Sequence, residues 1–150
     1  MATEALALDA VDALYGESHV LHGVSFALGE GRVLALLGRN GAGKTTCMNT
    51  VIGFLPPRKG TVELFGEQVA RLAPDLISRK GIALVPQGRR VFARLKGEGQ
   101  SILLVEQNIK LAFELADDVV ILNTGRVAFT GPVAAVRDNE ALITQHLGVF

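Results

Sequence analysis

The chain has 150 residues, 15 basic and 15 acidic side chains, and 49% hydrophobic residues, which suits one domain with one sizeable core. An apolar chain without net charge excludes intrinsic disorder, and the lack of a basic excess argues against a nucleic-acid binder or a polybasic membrane anchor. The lone Cys47 allows no intramolecular disulfide and fits a reducing cytosol, while the short apolar runs and the acidic N-terminus point to a soluble protein without direct membrane insertion or a signal peptide.

In chain order, Ala5 to Leu14 and Val20 to Leu28 read as strands around the turn-forming Gly16-Glu17-Ser18. Arg32 to Leu37 is a short, almost wholly apolar strand of the buried kind. A glycine-rich loop spans Gly38 to Gly43. A helix follows over Lys44 to Gly53, and Pro56-Pro57 forbids its extension. Thr61 to Phe65 is a strand, Pro74 to Lys80 a short helix opened by proline, and Ile82 to Val85 a strand stopped by Pro86. Further on come a strand at Ile102 to Val105 and a helix at Ile109 to Ala116. A hairpin is expected over Val119 to Leu122 and Arg126 to Phe129, with closing helices at Pro132 to Arg137 and Glu140 to Leu147. Strands alternating with helices imply an α/β fold with a largely parallel sheet in the middle.

The strongest signal is Gly38-Arg39-Asn40-Gly41-Ala42-Gly43-Lys44-Thr45-Thr46, a full match to G-x-x-x-x-G-K-[ST] placed between an apolar strand and a helix. The glycines let the backbone curl so that successive N–H groups point at phosphate oxygens. The helix that follows adds its positive dipole end. Lys44 is suited to reach the β- and γ-phosphates, and Thr45 to offer a hydroxyl to Mg²⁺. A ligand-free glycine turn is the competing reading.

From this loop outward the sequence resembles the ATP-binding subunit of an ABC transporter. Residues 5 to 95 carry one block of the resemblance: Leu14-Tyr15-Gly16, Leu21-His22-Gly23-Val24-Ser25-Phe26, the phosphate loop, Gly60-Thr61-Val62, Phe65-Gly66 and the Q-loop-like Ala83-Leu84-Val85-Pro86-Gln87. The continuation Gly88-Arg89-Arg90-Val91-Phe92 is similar to the branched-chain amino-acid importer branch, whose relatives carry urea and amides. Residues 98 to 149 carry the second block, with Leu103-Leu104-Val105-Glu106-Gln107-Asn108, Ala116-Asp117 and Thr124-Gly125-Arg126. The resemblance implies a P-loop NTPase fold, an ABC ATPase-like core with an N-terminal antiparallel β-subdomain. It also implies ATP and Mg²⁺ as ligands, and transmembrane permease subunits and a paralogous ATPase subunit as partners. The location it implies is cytoplasmic, peripheral at the inner face of the plasma membrane. By the same resemblance Tyr15 would stack on adenine, Gln87 would sense Mg²⁺ and the attacking water, and Gln107 would occupy the place of a switch histidine.

The chain departs from the family between Gln87 and Ile102, where only 14 residues stand. The family places there a helical subdomain, a Leu-Ser-Gly-Gly-Gln type signature, and an apolar strand ending in Asp-Glu. The chain therefore resembles one nucleotide-binding domain over 1–150 whose blocks 1–95 and 96–150 meet across an internal deletion. The linker, with Gly97 and Gly99, shows little helical periodicity. An incomplete central sheet is expected, either re-paired or with the Ile82–Val85 strand displaced to an edge, since unpaired backbone groups are costly. Glu106 is a stand-in for the missing acid, although its place directly before Gln107 favours an ordinary strand-end residue. Asp117 and Asp118 precede a strand and are poorly placed for Mg²⁺.

Little or no ATP turnover is expected from such a chain. The alternatives are a non-catalytic nucleotide-binding module and a deletion product that has kept its fold but lost its function. Arg89, Arg90, Arg94 and Lys96 form a basic cluster, read as a phosphate or permease contact or as a solvated loop. His19 and His22 lack further metal ligands and read as strand-end polar residues. Cys47 reads as a small buried helix residue rather than a low-pKa thiol.

Overall fold

The computed structural model describes residues 3–81, 89–106 and 108–148, with 89–91 described by backbone alone. Two four-stranded sheets organise it. In the first, β1 (Glu4–Tyr15) and β2 (Ser18–Gly29) form a long antiparallel hairpin, β4 (Lys59–Leu64) pairs antiparallel with the other edge of β1, and the short β5 (Glu67–Gln68) extends β4. This is the expected antiparallel β-subdomain.

The second sheet has the order β6-β3-β7-β8. Its centre is β3 (Val33–Leu37), flanked in parallel by β6 (Ile102–Val105) and β7 (Asp118–Asn123); β8 (Arg126–Pro132) returns antiparallel to β7. All five residues of β3 are buried, because both of its faces are covered. Leu34 and Leu36 face a core shared with the first sheet. Val33, Ala35 and Leu37 face a second core on the opposite side.

Helices cover both faces. α1 (Lys44–Ile52) and α2 (Pro74–Arg79) bury Cys47, Val51 and Ile77 in the first core. α4 (Ile109–Leu115), α5 (Val133–Arg137) and α6 (Glu140–Leu147) bury Ala112, Leu115, Val136 and Ile143 in the second. The arrangement is the expected α/β P-loop architecture, with most element ends displaced by no more than two residues.

One departure concerns the linker. Residues Arg89–Gly97 form a helix, α3, where the sequence shows little helical periodicity. Phe92 and Leu95, three apart, lie on one face and pack into the second core. Lys96 Nζ donates to the Leu115 carbonyl at 2.7 Å, satisfying the end of α4. The glycines end the helix rather than prevent it: Gly99, in the left-handed region, turns the chain back while the Gln100 amide bonds the Leu95 carbonyl at 3.1 Å.

Among the described residues β6 is the outer strand, bonded directly to β3, and a cavity of about 440 Å³ runs beside it, lined by Leu103 and Val105, by Leu6 and Leu64 of the first sheet, and by Met48 and Val51 of α1. The expected strand Ile82–Val85 lies outside the described residues.

Candidate phosphate-binding site

The glycine-rich loop leaves the C-terminal end of β3 and enters α1 at Lys44. Gly43, at φ +110°, stands at the N-cap without a side chain to cap the helix. The first helical bond runs from the Cys47 amide to the Gly43 carbonyl at 2.9 Å. The amides of Lys44, Thr45 and Thr46 therefore precede the first rung of the helix and are available to an anion. Within the loop, the Ala42 amide bonds the Arg39 carbonyl at 3.0 Å, which sets its curl. A Cβ added at Gly41 would meet no atom within 4 Å, so the loop's tip is open to a ligand.

A cavity of about 310 Å³ lies beside this curl, lined by Gly38, Arg39, Asn40, Lys44, Glu106 and Leu147, among others. Lys44 Nζ donates to the Gly38 carbonyl. Burial lowers the lysine's pKa, because it strips water from the charge. A phosphate would offset that loss. Thr45 is exposed and able to present its hydroxyl to a cation, whereas Thr46 is buried with its carbonyl accepting from Thr50 Oγ1 at 2.9 Å.

A second residue group holds the loop in place. The Gly125 amide, in the β7–β8 turn, donates to the Ala42 carbonyl at 2.8 Å, and the Gly125 carbonyl accepts from the His22 amide of β2 at 2.8 Å. Gly125 has φ +77°, and an added Cβ would lie deep inside the Val20 carbonyl. A single glycine thus links the first sheet, the β7–β8 turn and the phosphate loop. The sequence marks Asn123-Thr124-Gly125 as a turn and Thr124-Gly125-Arg126 as part of the family resemblance; the glycine is visible there, but its partner 83 residues earlier is not.

The other expected site residues divide. Tyr15, at the end of β1, is 45% exposed and accepts from Asn49 Nδ2 of α1 at 3.1 Å. It stands on the flank of α1 outside the lysine cavity, with its ring open to stacking. Glu106 follows β6 and lines the cavity beside Lys44, while its Oε1 accepts from the Asn108 amide at 3.0 Å. Gln87 and Gln107 lie outside the described residues.

Asp117 and Asp118 sit at the opposite end of the sheet. Asp117 Oδ2 accepts from the Val33 amide at 2.8 Å, and Asp118 pairs with Arg32 at 2.8 Å, an interaction that raises the arginine's pKa. Both carboxylates fasten the entry to β3. In the basic cluster, Arg94 pairs with Glu98 one turn on at 3.3 Å, and Lys96 anchors α3. His19 and His22 stack with ring centroids 3.9 Å apart, and no group of three metal-ligating side chains occurs among the described residues. Burial pushes the Cys47 thiol up to about 12.

A strand, a glycine-rich phosphate loop and a helix N-terminus, set in a parallel sheet with helices on both faces, define a P-loop nucleotide-binding protein. The sequence pattern described as ABC transporter matches residues 21–142, and the chain belongs to the ABC transporter family. It is 42% identical over 93 residues to a high-affinity branched-chain amino acid transport ATP-binding protein, BraG, of Pseudomonas aeruginosa, covering 62% of this chain and 40% of that protein. It is 34% identical to an uncharacterized ABC transporter ATP-binding protein of Rhizobium meliloti, covering 71% of this chain and 36% of the relative. It is also 34% identical to a ribose import ATP-binding protein, RbsA, of Bacillus licheniformis, covering 75% and 21%. The chain spans 40% or less of the length of these relatives. Among solved structures, an ATP-binding cassette of an ABC transporter, MJ1267, superposes with a TM-score of 0.80 at 15% identity, covering 93% of this chain and 97% of that one. The cbiO1 protein of Clostridium perfringens gives 0.74 at 16%, covering 95% and 94%. Likeness at such identities concerns the fold. Among the described residues no helix is long and apolar enough to cross a membrane.

Proposed function

We propose that this chain binds MgATP at the Gly38–Thr46 loop and is the nucleotide-binding part of an ABC importer for branched-chain amino acids, or for urea or amides. The observation that carries the binding is the placement of Lys44, at the open N-terminus of α1, in one cavity with the curled loop. The donor set fits a triphosphate. The amides of Lys44, Thr45 and Thr46 precede the first helical bond, Lys44 supplies the charge, and the exposed Thr45 hydroxyl suits a magnesium ligand. When bound, magnesium would neutralise charge between the phosphates. Tyr15, beyond α1's first turns, would take the base by stacking.

The importer assignment rests on the likeness to BraG and on the Gly88-Arg89-Arg90-Val91-Phe92 segment. It places the chain at the inner face of the plasma membrane, with transmembrane permease subunits and a paralogous ATPase subunit as partners. The chain is read as one nucleotide-binding domain over 1–150, joined across a missing segment near Leu95-Lys96; α3, which runs across that junction, is consistent with a linker that has found its own packing.

Turnover by this chain alone should be little or none. The sequence has no strand ending in Asp-Glu, and the carboxylate lining the described cavity is that of Glu106, which already accepts an amide. That observation favours a module that binds nucleotide without hydrolysing it. A thermal melt with and without MgATP, beside Lys44→Ala, tests the binding. At about 100 times its dissociation constant, ligand should add about 2.7 kcal/mol, and the gain should vanish in Lys44→Ala. A melt indifferent to nucleotide overturns the proposal. Phosphate release abolished by Lys44→Ala and by Glu106→Gln would instead make Glu106 a working acid.

A further inference from the structure

The phosphate loop is held at two ends by different means. Its Ala42 end is bonded to Gly125 through backbone groups. Its Arg39 end is bonded to α6: Arg39 Nη2 donates to the Thr144 carbonyl at 3.3 Å. Thr144 is one of the last four residues of α6, whose carbonyls have no partner inside the helix. A guanidinium there satisfies an orphan acceptor and complements the negative end of the helix. A Cβ on Gly148, just past the helix, would lie 3.7 Å from Arg39 Nε, so the guanidinium lies across the helix end. Leu147 of the same helix lines the Lys44 cavity. His146 Nδ1 meets Asn123 Nδ2 at 3.3 Å, next to the turn that carries Gly125. Loop, turn and α6 therefore form a closed ring of contacts, of which the loop and Leu147 of α6 line the cavity.

We infer that α6 is a positioning element for the phosphate loop, coupled to nucleotide binding through Arg39. This rests on the reading of the loop as a nucleotide site and extends it: Arg39 acts on the loop's shape by capping α6, and not as a direct phosphate ligand. Docked α6 holds the Gly38–Asn40 segment in the curl fixed at its other end by Gly125, so a phosphate meets a loop already formed. Coupling of this kind is reciprocal, and bound nucleotide must tighten α6 by the factor by which α6 tightens the nucleotide.

The test uses the full chain and MgATP. Asn139 Oδ1 caps the far end of α6 by accepting from the Leu142 amide at 3.0 Å, so Asn139→Ala loosens the helix without touching the loop. We expect Asn139→Ala to raise the MgATP dissociation constant about fivefold, and MgATP to slow hydrogen exchange at residues 144–147 by a similar factor. The double variant with Arg39→Ala should bind no more weakly than Arg39→Ala alone. If Asn139→Ala fails to fold, Asn123→Ala, which removes the His146 bond, takes its place. The inference is overturned if α6 exchanges faster with unchanged MgATP affinity. It is equally overturned if MgATP leaves exchange at 144–147 unaltered, or if the two substitutions add, which would make Arg39 a direct ligand. Failure of the underlying nucleotide reading looks different: the unaltered chain and Lys44→Ala would both ignore MgATP.

Discussion

The two flanks of β3 differ. On one side β7 and β8 form a closed hairpin whose turn bonds the phosphate loop, and α5 and α6 seal the outer face. On the other side β6 is the outer strand among the described residues, a cavity of about 440 Å³ runs along it, and Glu106 at its end is the acid brought to Lys44. Under the proposed function, the difference assigns nucleotide binding and the acid of hydrolysis to different flanks. The groups proposed to hold phosphate come from the loop after β3 and from the start of α1, and the β7–β8 turn anchors that loop. Glu106, the carboxylate that lines the Lys44 cavity, comes from the end of β6 on the other flank.

The comparison can be broken by measurement. Leu122 of β7 is fully buried, and Leu122→Ala should cost about 3 kcal/mol in denaturant unfolding. Gly125→Ala should cost about 2 kcal/mol, since it forces a side chain into a left-handed backbone against the Val20 carbonyl. It should also weaken MgATP, as the loop's anchor shifts. A Gly125→Ala variant with native stability and affinity would show that the loop does not depend on the turn. Leu103 faces the cavity beside β6 and is only half-buried, so Leu103→Ala should cost about 1 kcal/mol. If it matched Leu122→Ala, the two flanks would be equally packed.

The last expected effect, absent at pH 7, concerns Cys47 of α1. Its thiol is held neutral by burial, up to about 12 from an ordinary 9.0, while in the unfolded chain it ionises at the ordinary value. The unfolded state therefore gains as pH rises above about 9, and this group's effect on stability falls by about 1.4 kcal/mol per pH unit there. Relative to Cys47→Ala, the native chain should lose stability between pH 9 and 10 and match it in trend at pH 7. Parallel curves throughout would mean that water reaches the thiol.

Elements set by local chemistry were legible in the sequence. The phosphate loop, the proline-opened α2 and the apolar β3 and β6 follow from glycine, proline and apolar runs whose effect extends over a few residues. The exception was α3. Its signal, Phe92 and Leu95 on one face, is too short to read without the core that receives them. Asp117 and Asp118 stand at the start of β7, at the end of the sheet opposite the phosphate loop, as a strand's start dictates.

The sequence by itself determined the phosphate loop, the α/β order and the family, because each rests on residues contiguous along the chain or in a fixed order. Only the tertiary structure decided what surrounds the loop. Gly125 reaches Ala42 and His22, Arg39 reaches Thr144, and Glu106 reaches the Lys44 cavity across separations of 60 residues or more, with single bonds that leave no periodicity to detect. Such contacts exist only once sheet pairing has brought the C-terminal ends of β3, β6 and β7 to one edge, where packing rather than local propensity selects the neighbours.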